Sequence, residues 1–296
     1  MAAALAFSLC FALPSFFPSK ENTTNKKVIS VWNVDTFEGG KGSRTSFLNS
    51  VAKQLEKEGD VLFMVSSKTV EGAKLSLQNG ELPDLLSFGM GFEVGVSIGK
   101  ADCWCMGKYA LFSKSGVLAE PNASNTVVSC GGENLPLVAA ALYGFSGGMT
   151  EAKSLQAYVD FLSGKYTYLL GTQRDAQRLI ARGVEVNVLP LNGFSDLKQY
   201  IAVIHSENKR ICEAFIEKLM AEETQRSLSK IGMLSERYRI YDANTPISEA
   251  LERGDMEFTL PHNATAGKRQ TLLSGARRVL AGSENVEFLK KILKGS

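Results

Sequence analysis

Three short runs rich in apolar and β-branched residues, at 28–34, 61–65 and 82–88, alternate with two amphipathic runs of helical period. The first amphipathic run sets Phe47, Leu48, Val51, Ala52 and Leu55 on one face. The second carries Val70, Ala73, Leu75 and Leu77, with Thr69 placed to cap its start and Asn79-Gly80 to end it. A strand–helix–strand–helix–strand order at this spacing predicts a parallel sheet with right-handed crossovers. In open α/β sheets ligands sit beyond the carboxyl ends of the strands. That places Trp32, Asp35 and Glu38, in and after the first run, at a candidate small-molecule site.

Further strands are expected at 103–106 and 109–112. A second α/β set begins near 125, with a strand at 126–130, a Gly131-Gly132 turn and helices at 135–143 and 151–162. A strand at 166–170 leads through Gly171-Thr172 into a helix at 173–182. Val184, Val186 and Val188 alternate along a strand ending at Pro190, and another strand covers 200–204. A long amphipathic helical region spans 208–231, and helices are expected at 247–253, 266–280 and 285–293.

The 296 residues suit two domains or one large one. A formal net charge of +2 gives no push toward nucleic acid. A mean hydropathy of -0.04 argues against a polytopic membrane protein. Residues 1–19 carry no charge and are interrupted by Pro14 and Pro18, which reads as a secretory signal followed by a polar linker at 20–27. No Lys or Arg precedes the apolar run. Cys10 invites lipidation, although Phe7-Ser8-Leu9 lacks the small residue expected just before a lipidated cysteine. Cys103, Cys105, Cys130 and Cys212 are too sparse for a disulfide scaffold and read as small buried hydrophobes. His205 and His262 sit in unrelated contexts, so no metal site is expected.

Each candidate has a structural alternative. Trp32 offers an indole face for a sugar ring, or it packs between sheet and helix. Asp35 and Glu38 can accept hydroxyl hydrogen bonds, or they are solvated carboxylates that Lys41 and Arg44 neutralise. Gly39-Gly40-Lys41-Gly42-Ser43 fails the phosphate-loop pattern, because Gly42 separates Lys41 from Ser43, and Thr45 replaces the third dinucleotide-loop glycine. No cofactor is expected. Gln173, Arg174 and Asp175 open a helix, where Asp175 suits the positive end and Arg174 opposes it. They face a ligand or form an interlobe salt bridge. Phe88, Trp104 and Tyr143 offer stacking faces at element ends, with core packing the commoner use. No nucleophile elbow or zinc-protease motif is present.

The stretch Val31-Trp32-Asn33-Val34-Asp35-Thr36-Phe37-Glu38-Gly39-Gly40-Lys41-Gly42-Ser43-Arg44 resembles the first strand and loop of extracellular solute-binding proteins of ABC transporters. Leu82-Pro83-Asp84-Leu85-Leu86-Ser87-Phe88-Gly89 is similar to that family's strand leading to the cleft. The run from Ser206 to Ile216, with Gln225 downstream, looks like its helix rich in Lys, Ala and Phe. The likeness runs from 28 to about 242 and is strongest to the carbohydrate-type members. It implies a type II periplasmic-binding-protein fold, α/β, with two lobes closing on a ligand by hinge motion. The first lobe would be 28–111 plus 202–242 and the second 112–201 plus 243–296, crossing at 109–114 and 200–203. The implied function is capture of a small solute, a carbohydrate first and an anionic or amino-acid-like ligand second. The implied partner is an ABC permease, the implied state a monomer and the implied location extracytoplasmic. An enzyme or a sensor on the same scaffold is the alternative.

Overall fold

A computed structural model describes residues 26–37, 42–117, 119–204, 207–242, 245, 251–252 and 256–295. The signal-like run at 1–19, the linker up to 25, Cys10, Glu38, Lys41 and His205 lie outside the described residues, as does most of the expected helix at 247–253.

The first half builds β1 (Lys27–Val34), α1 (Arg44–Glu58), β2 (Val61–Lys68), α2 (Val70–Gln78), β3 (Leu85–Gly89) and β4 (Ala101–Met106). The caps follow the local chemistry. Ser43 Oγ accepts from Ser46 N, and Thr69 Oγ1 accepts from Gly72 N, at the starts of α1 and α2. The middle of the chain builds β5 (Tyr109–Lys114), β6 (Thr126–Cys130), α3 (Pro136–Tyr143), β7 (Thr150–Lys153) and α4 (Ser154–Leu162). It continues with β8 (Tyr168–Thr172), α5 (Gln173–Ala181), β9 (Val186–Pro190), β10 (Phe194–Ser195) and β11 (Lys198–Val203). Beyond these come α6 (Lys209–Met220), α7 (Glu222–Arg226), a 3-10 turn at Ser227–Ile231, β12 (Phe258–Thr259), α8 (Ala266–Leu280) and α9 (Val286–Lys294).

Two five-stranded sheets result, ordered β2-β1-β3-β11-β4 and β7-β6-β8-β5-β9. β1 pairs in parallel with β2 and β3, as the opening pattern predicts, and β11 runs antiparallel between β3 and β4. In the second sheet β6 is parallel to β7 and β8, while β5 is antiparallel to β8 and β9. The chain passes between the sheets from Met106 to Tyr109 and returns between Pro190 and Lys198. All of β5 therefore belongs to the second sheet and all of β11 to the first. One expectation is corrected here. The helix expected from 151 starts at Ser154, because Thr150–Lys153 pairs with Val127–Cys130 as an edge strand.

α1 and α6 pack on the first sheet; α3, α4 and α5 pack on the second, with α8 and α9 laid over α3. One apolar cluster runs from the first sheet through the junction to α3 and the tail helices. Another lies among α4, α5 and the second sheet. Cys103, Cys105 and Cys212 are buried free thiols, as their sparse distribution suggests, and Cys130 is a half-buried one. Among the described residues, no helix is long and apolar enough to cross a membrane.

Candidate ligand site at the seam between the lobes

The segment that follows β1 meets the segment that follows β6 across a seam. There the two lobes touch through main chain. Phe37 and Gly132 form an isolated antiparallel bridge, and Glu133 N donates to Thr36 O. Gly132 has a φ of 61°, a left-handed conformation, and a Cβ there would overlap Thr36 O, so the position requires glycine on both counts. Thr36 and Phe37 are 1% and 3% exposed, although both sit in a loop. The lobes are thus closed on each other.

The loop after β1 is braced from behind by a buried polar network. Trp104 Nε1 donates to Ser87 Oγ (3.1 Å), and Ser87 Oγ donates to Asn33 Oδ1 (2.9 Å). Gln199 Nε2 donates to Val34 O (3.0 Å) and to Ser87 Oγ (3.1 Å). Asn33 Nδ2 donates onward to Asp35 Oδ1 (3.1 Å) and Thr45 Oγ1 (3.0 Å). Asp35 meets Arg44 Nε at 2.7 Å, while Arg44 Nη2 donates to Phe37 O at 2.6 Å and the guanidinium lies 4.3 Å above the Phe37 ring. Arg44 therefore neutralises Asp35, which is the alternative left open in reading the sequence.

The hinge is a second network. Gly107 N donates to Leu197 O (2.6 Å), and Ser195 Oγ donates to Gly107 O (3.1 Å), which zips the outgoing and returning crossings together. Asp196 joins them to α3. Tyr109 Oη donates to one carboxylate oxygen (2.7 Å) and Leu135 N to the other (2.9 Å). Burial pushes the Asp196 carboxyl up to about 6, against the pull of the Tyr109 hydrogen bond and the nearby Arg269 charge. Burial, followed by the Asp196 charge, likewise pushes the Tyr109 hydroxyl well up. A third connection returns through Leu234, which pairs with Met106, and through β12, which pairs with β10.

The sequence-derived candidates distribute unevenly about this seam. Asp35 is at it, with its side chain 38% exposed. Trp32 lies on β1, buried within its lobe, with Lys68 Nζ 4.3 Å over its ring. Phe88 is fully buried among Phe92, Tyr200 and His262. Trp104 is fully buried and stacks on Phe47 at 5.7 Å. Gly89 ends β3, where a Cβ would overlap Thr36 Oγ1. Gln173 is fully buried, with Oε1 accepting from Lys108 N at 3.1 Å, so it plugs the crossing between the lobes. Asp175 is buried in a capping box, accepting from Thr172 N at 3.0 Å, and Arg174 N donates to Thr172 Oγ1. Tyr143 lies away from the seam at the far end of α3, half-exposed near Tyr168 at the start of β8.

The seam also gathers residues that sequence reasoning missed. Thr36 and Phe37 carried no signal beyond adjacency to Asp35, and Gly132 read only as a turn. Arg269, from the tail helix α8, reaches Glu133 across 136 residues of sequence at 3.2 Å. Thr36 Oγ1, Arg44 Nη1, Asn134 Oδ1, Gln199 Oε1 and Arg269 Nε are buried there with no hydrogen-bond partner.

Among solved structures the chain is similar to the sugar-binding protein MalE of Xanthomonas citri, at 12% identity and a TM-score of 0.64 over 91% of this chain and 96% of that one. It is also similar to a cyclo/maltodextrin-binding protein solved with maltotetraose, at 12% identity and a TM-score of 0.58 over 91% and 97%. An ABC transporter protein of Clostridium perfringens matches at 11% identity and a TM-score of 0.63 over 86% and 100%. No protein-family model matches the chain, and no curated protein matches its sequence. At these identities the likeness is one of fold: two α/β lobes about a hinge, as in the sugar-binding proteins of ABC transporters.

Proposed function

We propose that this chain is an extracytoplasmic solute-binding protein that captures a small molecule, a carbohydrate by preference, between its lobes and presents it to an ABC permease. The observation that carries this reading is the seam itself. Five polar atoms from both walls and the hinge are buried there without partners. Unpaired buried polar groups cost about 1–3 kcal/mol each and call for a partner that the chain does not supply. A polyhydroxylated ligand, whose hydroxyls both donate and accept, is such a partner.

In this reading Asp35 and Glu38 contact ligand from the first lobe. Gln173, Arg174 and Asp175 frame the facing wall. Trp32, Phe88, Gly89 and Trp104 shape the first wall from within, and Tyr143 serves the second lobe from its outer end. Opening separates Thr36-Phe37 from Gly132-Glu133, and ligand replaces that main-chain contact when the lobes close again. No catalytic step is invoked and the chain acts as a monomer.

The test is a thermal-shift screen of the full chain against maltooligosaccharides, other sugars, amino acids and carboxylates. A ligand selective for the folded state raises the midpoint by mass action. A dose-dependent rise with a saccharide is expected, and a null result across every class defeats the proposal.

A further inference from the structure

Two buried arginines, one from each side of the seam, are paired with carboxylates far more exposed than they are. Arg44, on α1 of the first lobe, is 7% exposed at its side chain, and its partner Asp35 is 38% exposed. Arg269, on α8 over the second lobe, is 8% exposed, and its partner Glu133 is 51% exposed. Taking a cation out of water is expensive unless its partner is equally well held. Here the cation is the fixed member and the anion the loose one. Each guanidinium also keeps a donor unused: Arg44 Nη1 and Arg269 Nε are buried with no partner.

Both arginines hold the two segments that meet at the seam. Arg44 Nη2 donates to Phe37 O, Glu133 N donates to the neighbouring Thr36 O, and Glu133 Oε2 faces Arg269 Nη1. Gly91, at a φ of 88°, opens the space for Arg269, whose guanidinium a Cβ there would overlap. A second anion near Arg269 is Asp196, already held by Tyr109 Oη and Leu135 N.

We infer that Glu133 occupies the place of a ligand carboxylate, so that the solute is an acidic saccharide whose carboxylate displaces Glu133 and pairs with Arg269, while Arg44 lends a second positive charge to the same seam. A carboxylate accepts several such bonds at once, and a guanidinium matches it in a planar fork. The inference rests on the solute-binding reading and narrows its ligand class.

Calorimetric titration of the full chain with trigalacturonate, maltotriose and succinate tests it. Trigalacturonate is expected to bind at least ~10-fold more tightly than maltotriose, since a charge-assisted fork is worth that much over neutral hydrogen bonds. Arg269→Gln should weaken trigalacturonate by a similar factor and weaken maltotriose by clearly less, because a neutral hydroxyl loses a weaker hydrogen bond there than a carboxylate does. Glu133→Gln removes the charge opposite Arg269 but keeps an amide oxygen able to accept from it, so it keeps the fold, and it should tighten trigalacturonate by removing the competing anion. Maltotriose bound as well as trigalacturonate, or Glu133→Gln without effect on the acid, overturns the inference and leaves the solute-binding reading standing. Succinate bound in preference to trigalacturonate overturns the saccharide half. If nothing in the wider thermal-shift screen binds, the solute-binding reading falls first.

Discussion

Two carboxylates, Asp35 and Asp175, look alike in the sequence, each in a turn that leaves a strand and enters a helix. The structure uses them in opposite ways. Asp175 is buried and reciprocates with Thr172 in a capping box that starts its own helix. Asp35 is over a third exposed and is held by Asn33 and by Arg44 from the next helix. A carboxylate that completes a cap is structural, whereas one balanced against a cation at an exposed seam is available. The first wall can therefore exchange partners when the lobes open, and the second is set.

That contrast breaks most visibly at the aromatic behind the first wall. Trp104 is fully buried, stacked on Phe47 and bonded to Ser87, and so anchors the network reaching Asp35. Trp104→Ala is expected to cost about 3–5 kcal/mol, the range for a large buried aromatic. A urea midpoint within error of the wild type would show that the first wall does not depend on its bracing.

The hinge gives the next largest effect. Asp196 has its folded pKa raised from 3.8 to about 6 by burial. Between those values the native state holds a proton that the unfolded chain has released, so stability falls as pH rises through that window. The loss totals roughly 3 kcal/mol, at 1.36 kcal/mol per pH unit. Urea midpoints of the wild type minus those of Asp196→Asn, taken from pH 4 to pH 7, should trace that fall. A flat difference would mean that the carboxylate is not desolvated where the crossings meet.

The fold was legible because its signals are local. Apolar period, Thr69, Asn79-Gly80 and the spacing of β1, β2 and β3 together specify the parallel arrangement of the first sheet. Local signals failed at 151–153, where Glu151, Ala152 and Lys153 favour a helix by propensity but pair with β6 instead. The seam was less legible. Asp35 stands in its turn for any reader, but the arginine opposite Glu133 comes from a helix 136 residues away, and nothing in its own surroundings marks it. Phe88 and Trp104 sit at strand ends, as a stacking residue would. The sequence cannot say that strand pairing turns both rings into the interior.

On the second wall, Asp175→Ala removes half of the capping box, and about 1 kcal/mol of stability goes with it. Solute affinity should stay within about 2-fold, because the capping bond that is lost joins Asp175 to Thr172 N. A tenfold loss of affinity with unchanged stability would erase the distinction between the two carboxylates.

A change on the first wall that costs only modest stability carries the largest functional effect. Asp35→Asn keeps the shape of the side chain and its hydrogen bond from Asn33 but gives up the charge facing Arg44. Arg44 is buried, so losing the charge opposite it costs about 1–3 kcal/mol, held down by the amide oxygen that still accepts, and the melting transition should fall modestly. The freed Arg44 then meets the solute without its resident counter-ion. An anionic saccharide should gain affinity and a neutral one should lose an acceptor, so the ratio of the two shifts in one direction. Equal losses for both would place Asp35 as a general acceptor of hydroxyls. A shift in the ratio assigns it to balancing charge, the role that its exposure and its pairing with a buried arginine support.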